Sequence, residues 1–134
     1  MKPITTVLYA LVIITIAAYA AYFKGWIFAN FDSITPKEAY TRLHNDPNLF
    51  LLDVRTPEEF AQEHIEGATL IPVQVLSENL SKLEPLKDKT IIVYCRSGNR
   101  SVSASRILSN NGFTPLNVTG GINGWKSEGL GVTR

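Results

Sequence analysis

The chain contains a single cysteine, Cys95, between a hydrophobic run and a charged loop. The run Thr90–Tyr94 is rich in β-branched residues, which predicts a strand. The loop that follows holds Arg96 and Arg100, and the pattern after it predicts a helix over Ser101–Asn111. A thiol at the end of a strand and ahead of a helix N-terminus is well placed to act as a nucleophile.

The composition of this loop favours the thiolate form of the cysteine. We expect backbone amides from Arg96 to Ser101 to surround the sulfur, with the positive end of the helix dipole and both arginines adding to the effect. Glycine within the loop allows a tight turn. We therefore predict an ionised nucleophile that is open to solvent, and a buried structural cysteine is the alternative. The candidate catalytic residues are Cys95 and Arg100, and the candidate substrate-binding residues are Arg96, Ser97, Gly98, Asn99 and Ser101.

The surrounding sequence alternates between strand and helix patterns. Thr35-Pro36 and Thr56-Pro57 are typical helix starts, with a capping threonine followed by proline. The strand candidates lack polar alternation, which predicts an α/β fold with a parallel sheet covered by helices on both faces. Ligand sites in such folds lie beyond the carboxyl ends of the strands, where Cys95 lies. Strands are predicted at 31–34, 48–54, 69–71, 90–94 and 114–118, and the later helices at 75–83, 101–111 and 122–128.

The N-terminal residues predict a membrane segment. Ile4–Phe23 contains twenty uncharged residues, enough for a helix of about 30 Å that crosses the hydrocarbon core of a bilayer. Lys2 and Lys24 flank it, and aromatic residues at 22, 23, 26 and 28 suit the membrane interface. Residues 1–29 are therefore predicted to form an anchor and juxtamembrane segment, and residues 30–134 the folded domain.

Two other interpretations of this segment remain. A cleaved signal peptide is the stronger one, since Ala18-Tyr19-Ala20 fits a cleavage site. A buried core helix is the weaker one. For an uncleaved anchor, the flanking charges do not decide the orientation. A signal-anchor in a bacterial inner membrane would place the domain in the periplasm, and this side is slightly favoured.

Charge and composition exclude some classes of function. Thirteen basic and twelve acidic side chains give a net charge of +1 without a basic stripe, so no nucleic-acid partner is expected. No spacing suits a metal site, so no metal is predicted. Asp53, Arg55, Glu59 and His64 are predicted to be structural, with Arg55 pairing with Glu59. A thiolate held by amides and arginines needs no general base, which argues against a catalytic His64.

Three segments resemble one known family. Ile91–Ser105 (IIVYCRSGNRSVSAS) is similar to the active-site loop of rhodanese domains, a six-residue ring that begins with the catalytic cysteine. Leu51–Pro72 and Gly120–Leu130 resemble the first and the C-terminal signatures of the family. One difference is Glu63, because members of the family commonly have glycine at this position, directly before the His-Ile pair of the first signature. The resemblance implies a five-stranded parallel sheet flanked by helices.

The resemblance also implies a reaction. Rhodaneses transfer sulfur from thiosulfate to a nucleophile such as cyanide or a thiol, through a persulfide on the catalytic cysteine and without another cofactor. The residue spacing alone indicates only a small anion as the donor. One alternative is a sulfur-relay or protein-interaction module with a protein as donor or acceptor. A cysteine phosphatase is less favoured, because phosphatases of this fold place five residues between cysteine and arginine, and here there are four.

Overall fold

The computed structural model describes residues 3–27 and 29–134, so the predicted interfacial positions of Lys2 and Phe28 lie outside the described residues. The helices are α1 (Pro3–Phe23), α2 (Pro36–Asn45), α3 (Pro57–Gln62), α4 (Val73–Leu76), α5 (Leu80–Leu83), α6 (Asn99–Asn110) and α7 (Gly121–Ser127). The strands are β1 (Asp32–Ile34), β2 (Phe50–Asp53), β3 (Thr69–Leu70), β4 (Thr90–Tyr94) and β5 (Thr114–Val118).

The five strands form one parallel sheet in the order β1-β5-β4-β2-β3. Neighbouring residues of a strand face opposite sides, so the central strands β2 and β4 contribute to two cores. Leu52 and Val93 pack beneath α4, α5 and α6 on one face, whereas Leu51 and Ile92 pack with α2 and α7 on the other. The predicted α/β fold with a covered parallel sheet is confirmed, and β4 lies at its centre.

The predicted helix starts at Thr35 and Thr56 are confirmed. The Thr35 side chain accepts a hydrogen bond from the amide of Glu38 at 3.2 Å. Thr56 and Glu59 form a reciprocal capping box, in which each side chain accepts from the backbone amide of the other. These contacts satisfy amides that lack partners within the helix.

Two helices differ from their predicted extents by more than one residue at an end or by a break. The helix predicted over 75–83 is divided into α4 and α5 by a 3-10 turn at Ser77–Asn79. The Asn79 side chain donates to the Val75 carbonyl, the acceptor that a continuous α-helix would offer to the Asn79 amide. α6 begins at Asn99 rather than Ser101, because Gly98, with φ of +118°, takes the N-cap position.

The N-terminal helix α1 is long and apolar enough to cross a membrane, a test that a signal sequence would also pass. The most apolar stretch of its 21 residues has a mean hydropathy of 2.1, and none of its residues is buried. The alternative of a buried core helix is therefore wrong.

Candidate active site

Cys95 directly follows the central strand β4, at the carboxyl edge of the sheet. The residue is 1% exposed and belongs to the hydrophobic core beneath α6. The expectation that the sulfur is open to solvent is therefore wrong. The preceding strand is buried on both faces, and the loop and the start of α6 fold back over the strand end.

Two groups of the loop bind the sulfur. The Gly98 amide donates to Cys95 Sγ at 3.1 Å. The thiol in turn donates to Ser101 Oγ at 3.3 Å, and this hydroxyl donates to the Gly98 carbonyl at 3.2 Å. Because a hydroxyl can reverse its hydrogen bond, Ser101 can donate to the sulfur once the thiol loses its proton. We expected several amides between Arg96 and Ser101 to surround the sulfur. Among the described residues, the backbone amide that binds it is that of Gly98.

The start of α7 fixes the backbone of the loop from behind. The amide of Ile122 donates to the Cys95 carbonyl at 2.8 Å, and that of Asn123 donates to the Arg96 carbonyl at 3.0 Å. In planar trans peptides the N–H points opposite to the C=O, so the amides that follow these carbonyls face away from α7. Only glycine fits at 121, since φ is +58° and a Cβ would lie 2.4 Å from the Cys95 carbonyl oxygen. The pair of glycines at 120 and 121 does not reveal this role in the sequence, because the Cys95 carbonyl that it approaches is twenty-six residues away.

Arg100 lies in the first turn of α6 and binds a carboxylate. Its Nη1 and Nη2 donate to Oε1 and Oε2 of Glu59 at 2.6 and 2.9 Å. This contact, together with the Thr56 amide, lowers the pKa of Glu59 to about 2. The pKa of Arg100 is raised, first by Glu59 and to a smaller extent by the charge of Cys95. The charge of Arg100 is thus already paired by Glu59.

The predicted pair of Arg55 with Glu59 is wrong. Arg55 instead binds Asp53, with Nη2 to Oδ2 at 2.7 Å and Nε to both carboxylate oxygens at 3.0 Å. The four-residue spacing to Glu59 brings side chains together only within a helix, and Arg55 lies before the helix. The Arg55 amide donates to Asp53 Oδ1 at 2.9 Å, and this Asx turn after the end of β2 brings the Arg55 side chain back onto the carboxylate.

This buried ion pair lies beside Tyr94. The side chains of Asp53 and Arg55 are 0% and 3% exposed. Burial alone would lower the pKa of Arg55, but Asp53 outweighs it and the pKa is raised. The pKa of Tyr94 is raised strongly, first by burial and then by Asp53. The Tyr94 hydroxyl accepts from the Ile65 amide at 3.1 Å, which links the end of β4 to the segment before β3.

His64 makes contacts away from the sulfur. Its ring stacks on Phe60 with centroids 3.8 Å apart, and its Nδ1 lies 2.8 Å from the Phe60 carbonyl. Its backbone pairs with Thr133 through two hydrogen bonds of 2.8 Å. The residue therefore connects α3 to the C-terminal segment.

The other residues of the loop line two depressions in the surface. Arg96 lines a small pit of 130 Å³, together with Lys126, which forms an ion pair with Glu63. On the other side of the loop, Ser97, Gly98 and Asn99 line a larger cleft of 420 Å³. Within residues 3–27 and 29–134, no group of three or more His, Cys, Asp or Glu side chains is arranged to hold a metal ion.

The fold and this loop match a known family. A family model described as a rhodanese-like domain matches residues 35–128. The chain belongs to the rhodanese-like family. Several curated relatives of this chain are named sulfurtransferases. The thiosulfate sulfurtransferase PspE of Escherichia coli is 41% identical over 71 residues, which cover 53% of this chain and 68% of PspE. A sulfurtransferase of Allochromatium vinosum is 37% identical over 92 residues, covering 68% and 84%.

Solved structures agree with this assignment of the rhodanese fold. A rhodanese-like domain protein from Staphylococcus aureus superimposes with a TM-score of 0.68 at 34% identity, covering 78% of this chain and all of that protein. A rhodanese-related protein from Thermoplasma volcanium gives a TM-score of 0.70 at 35% identity, covering 77% and 98%.

Proposed function

We propose that this rhodanese is a sulfurtransferase that moves sulfane sulfur from a small anionic donor such as thiosulfate to a nucleophilic acceptor, through a persulfide on Cys95. The observation that carries the proposal is the hydrogen bond of 3.1 Å from the Gly98 amide to Cys95 Sγ. A buried thiolate needs such a donor, because burial otherwise disfavours the charged form. The same loop can hold the negative outer sulfur of a persulfide.

The reaction consists of two displacements. The Cys95 thiolate attacks the outer sulfur of thiosulfate, the bond between the two sulfur atoms of the donor breaks, and sulfite leaves with the electron pair. The acceptor then attacks the outer sulfur of the persulfide, and Cys95 leaves as a thiolate. Cyanide becomes thiocyanate, and a thiolate becomes a persulfide. Neither step requires an oxidant, a metal or another cofactor.

The loop arginines have different parts in this scheme. Arg96 is exposed beside the pit of 130 Å³, a size that suits a small inorganic anion. Its positive charge attracts the dianionic donor and stabilises the leaving sulfite. Arg100 holds the first turn of α6, and with it Ser101, through its pair with Glu59.

A measurement of intact mass tests the proposal. The full chain is incubated with thiosulfate, and we expect a gain of one sulfur atom, which Cys95→Ser abolishes. Ser109→Ala, which removes another hydroxyl of α6, serves as a control and should load normally. Absence of the added sulfur in the wild-type protein would refute the thiosulfate reaction.

A sulfur-relay role is the second candidate, and the pairing of Arg100 favours it. With Arg100 held by Glu59, Arg96 is the more available loop charge for a free dianion. A persulfidated protein would dock on the surface of the domain and present its sulfur there, so the transfer would depend less on the charge of Arg96. Loading by a persulfidated protein, but not by thiosulfate, would support the relay.

We also propose that α1 remains in the mature protein as a single-pass anchor, with the domain on the periplasmic side of a bacterial inner membrane. Its length, its apolar character and the absence of buried residues along it support this. A reporter fused after Arg134 and active only outside the cytoplasm would agree with the orientation. Release of the domain by alkaline extraction, with loss of α1 from its mass, would contradict the anchor.

A further inference from the structure

The segment that follows α1 is fixed to α6. The Arg106 guanidinium donates to the carbonyls of Tyr22 and Ile27, and it lies 3.9 Å from the centroid of the Tyr22 ring. Farther along α6, the Ser109 hydroxyl donates to the Asn30 carbonyl. These contacts involve both backbone and side chains, so the segment is a docked part of the domain surface.

The docking brings this segment beside the catalytic loop. Gly25 has a φ of +74°, and a Cβ there would lie 3.2 Å from side-chain atoms of Val102 and Phe31. Val102 is in the first turn of α6, one residue after Ser101. This close approach places Lys24, Gly25 and Trp26 next to the catalytic loop.

The two segments enclose the cleft of 420 Å³. Lys24 and Trp26 form one wall, while Ser97, Gly98 and Asn99 form the other. Gly98 is the residue whose amide binds the Cys95 sulfur. The cleft thus reaches the group that holds the nucleophile. Its outer wall lies before residue 35, where the match to the family begins.

The cleft is lined by both polar and apolar groups, and it carries one positive charge. Lys24 is the one charged residue among the described residues that line it, and its Nζ lies 5.3 Å from the centroid of the Trp26 ring. At the base, Asn117 is 4% exposed and its Nδ2 donates to Ser33 Oγ. Asn117 Oδ1 is buried and has no hydrogen-bond partner among the described residues.

We propose that this cleft binds the sulfur acceptor, and that the acceptor is a small organic thiol carrying a carboxylate. The cleft of 420 Å³ has about three times the volume of the pit of 130 Å³ beside Arg96, so we assign the smaller site to the inorganic donor and the larger one to an organic acceptor. Lys24 attracts the carboxylate, and the thiolate attacks the outer sulfur of the Cys95 persulfide. That sulfur moves to the acceptor as a persulfide, and Cys95 leaves as a thiolate. The inference rests on the sulfurtransferase function proposed above.

Discharge of the persulfide to three thiols tests this inference. The full chain in detergent is loaded with thiosulfate, freed of donor, and mixed with 3-mercaptopropionate, 2-mercaptoethanol or cysteamine. Loss of the added sulfur is followed by intact mass, and rates are compared per thiolate. We expect the anionic thiol to react fastest, Lys24→Gln to slow it about threefold, and Lys24→Glu to shift the preference towards cysteamine. The controls are Lys37→Gln and Lys37→Glu on α2, which should change none of the rates.

The outcomes separate the two proposals. The protein could load sulfur and then discharge it at rates that do not depend on the charge at position 24. This result would overturn the assignment of the cleft and leave the sulfurtransferase function intact. An equal loss of rate for all three thiols would show a structural role for Lys24 and would also overturn it. A wild-type chain that never acquires sulfur would refute the thiosulfate function, and this inference with it.

Discussion

Arg100 and Glu59 are joined by two parallel hydrogen bonds, of 2.6 and 2.9 Å, that tie the first turn of α6 to the first turn of α3. The two side chains are 31% and 23% exposed, so solvent screens the pair only in part. The same glutamate completes the capping box with Thr56. One carboxylate therefore orients both the start of α3 and the helix that carries Ser101 beneath the sulfur.

Disruption of this pair should reduce stability and activity together. We expect Arg100→Ala and Glu59→Gln each to lower the free energy of unfolding by about 1–3 kcal/mol, and the double variant to lose less than the sum. Urea denaturation measures these values. The exposed pair of Lys37 and Glu128 is the control, with an expected coupling below about 1 kcal/mol. Additive effects of Arg100→Ala and Glu59→Gln would contradict the coupling.

Rates of sulfur loading show whether Arg100 only positions α6 or also contacts the donor. If Arg100 acts only by holding α6, Glu59→Gln should slow sulfur loading as much as Arg100→Ala. A larger loss in Arg100→Ala would show that the guanidinium also meets the anion during the reaction. Single-turnover loading with thiosulfate, followed by mass, distinguishes these cases.

The stability of the domain should fall in acid because of Glu59. Its pKa is about 2 in the folded protein, well below the ordinary value of 4.5, so the folded state favours the ionised carboxylate. The stabilisation is complete above pH 4.5 and is lost as the pH falls from 4.5 towards 2, by about 3 kcal/mol at most. Urea denaturation at several pH values should show this slope in the wild type. Glu59→Gln should show a shallower slope, and an unchanged one would contradict the assignment.

Gly121→Ala should displace the catalytic loop. The new Cβ would lie 2.4 Å from the Cys95 carbonyl oxygen, in addition to the strain of a positive φ. Gly129→Ala is the matched control, because Gly129 also has a positive φ but no atom within 4 Å of its Cβ position. Both variants should lose about 1–2 kcal/mol through backbone strain. Only Gly121→Ala should lose sulfur loading, and equal loading by both variants would contradict the role of the turn.

Ser101→Ala should reduce the reactivity of the sulfur. The Ser101 hydroxyl is fully buried, 3.3 Å from Cys95 Sγ, and can donate to the thiolate. We expect alkylation by iodoacetamide near neutral pH to slow several-fold, in line with the loss of one charge-assisted hydrogen bond. Ser105→Ala is the control, since the Ser105 hydroxyl is buried on the same helix without a partner among the described residues. A similar rate of alkylation in both variants would show that Ser101 does not stabilise the thiolate.

The local sequence determined the elements and the place of the nucleophile. Helix caps at Thr35 and Thr56, the buried strand before Cys95 and the glycine within the loop all act through residues a few positions apart. Such patterns depend on hydrogen bonds and backbone preferences within one turn or strand. For this reason the parallel sheet, and the position of Cys95 at its carboxyl edge, were predictable.

Contacts between distant segments were decided only by the tertiary structure. Glu59 pairs with Arg100, forty-one residues away, whereas the sequence favoured Arg55. The sulfur is buried because the loop folds over the end of β4, with the start of α7 packed behind it, and the segment after α1 docks on α6. Ion pairs and burial depend on which surfaces meet after the chain has folded, and the spacing of residues along the chain does not contain this information.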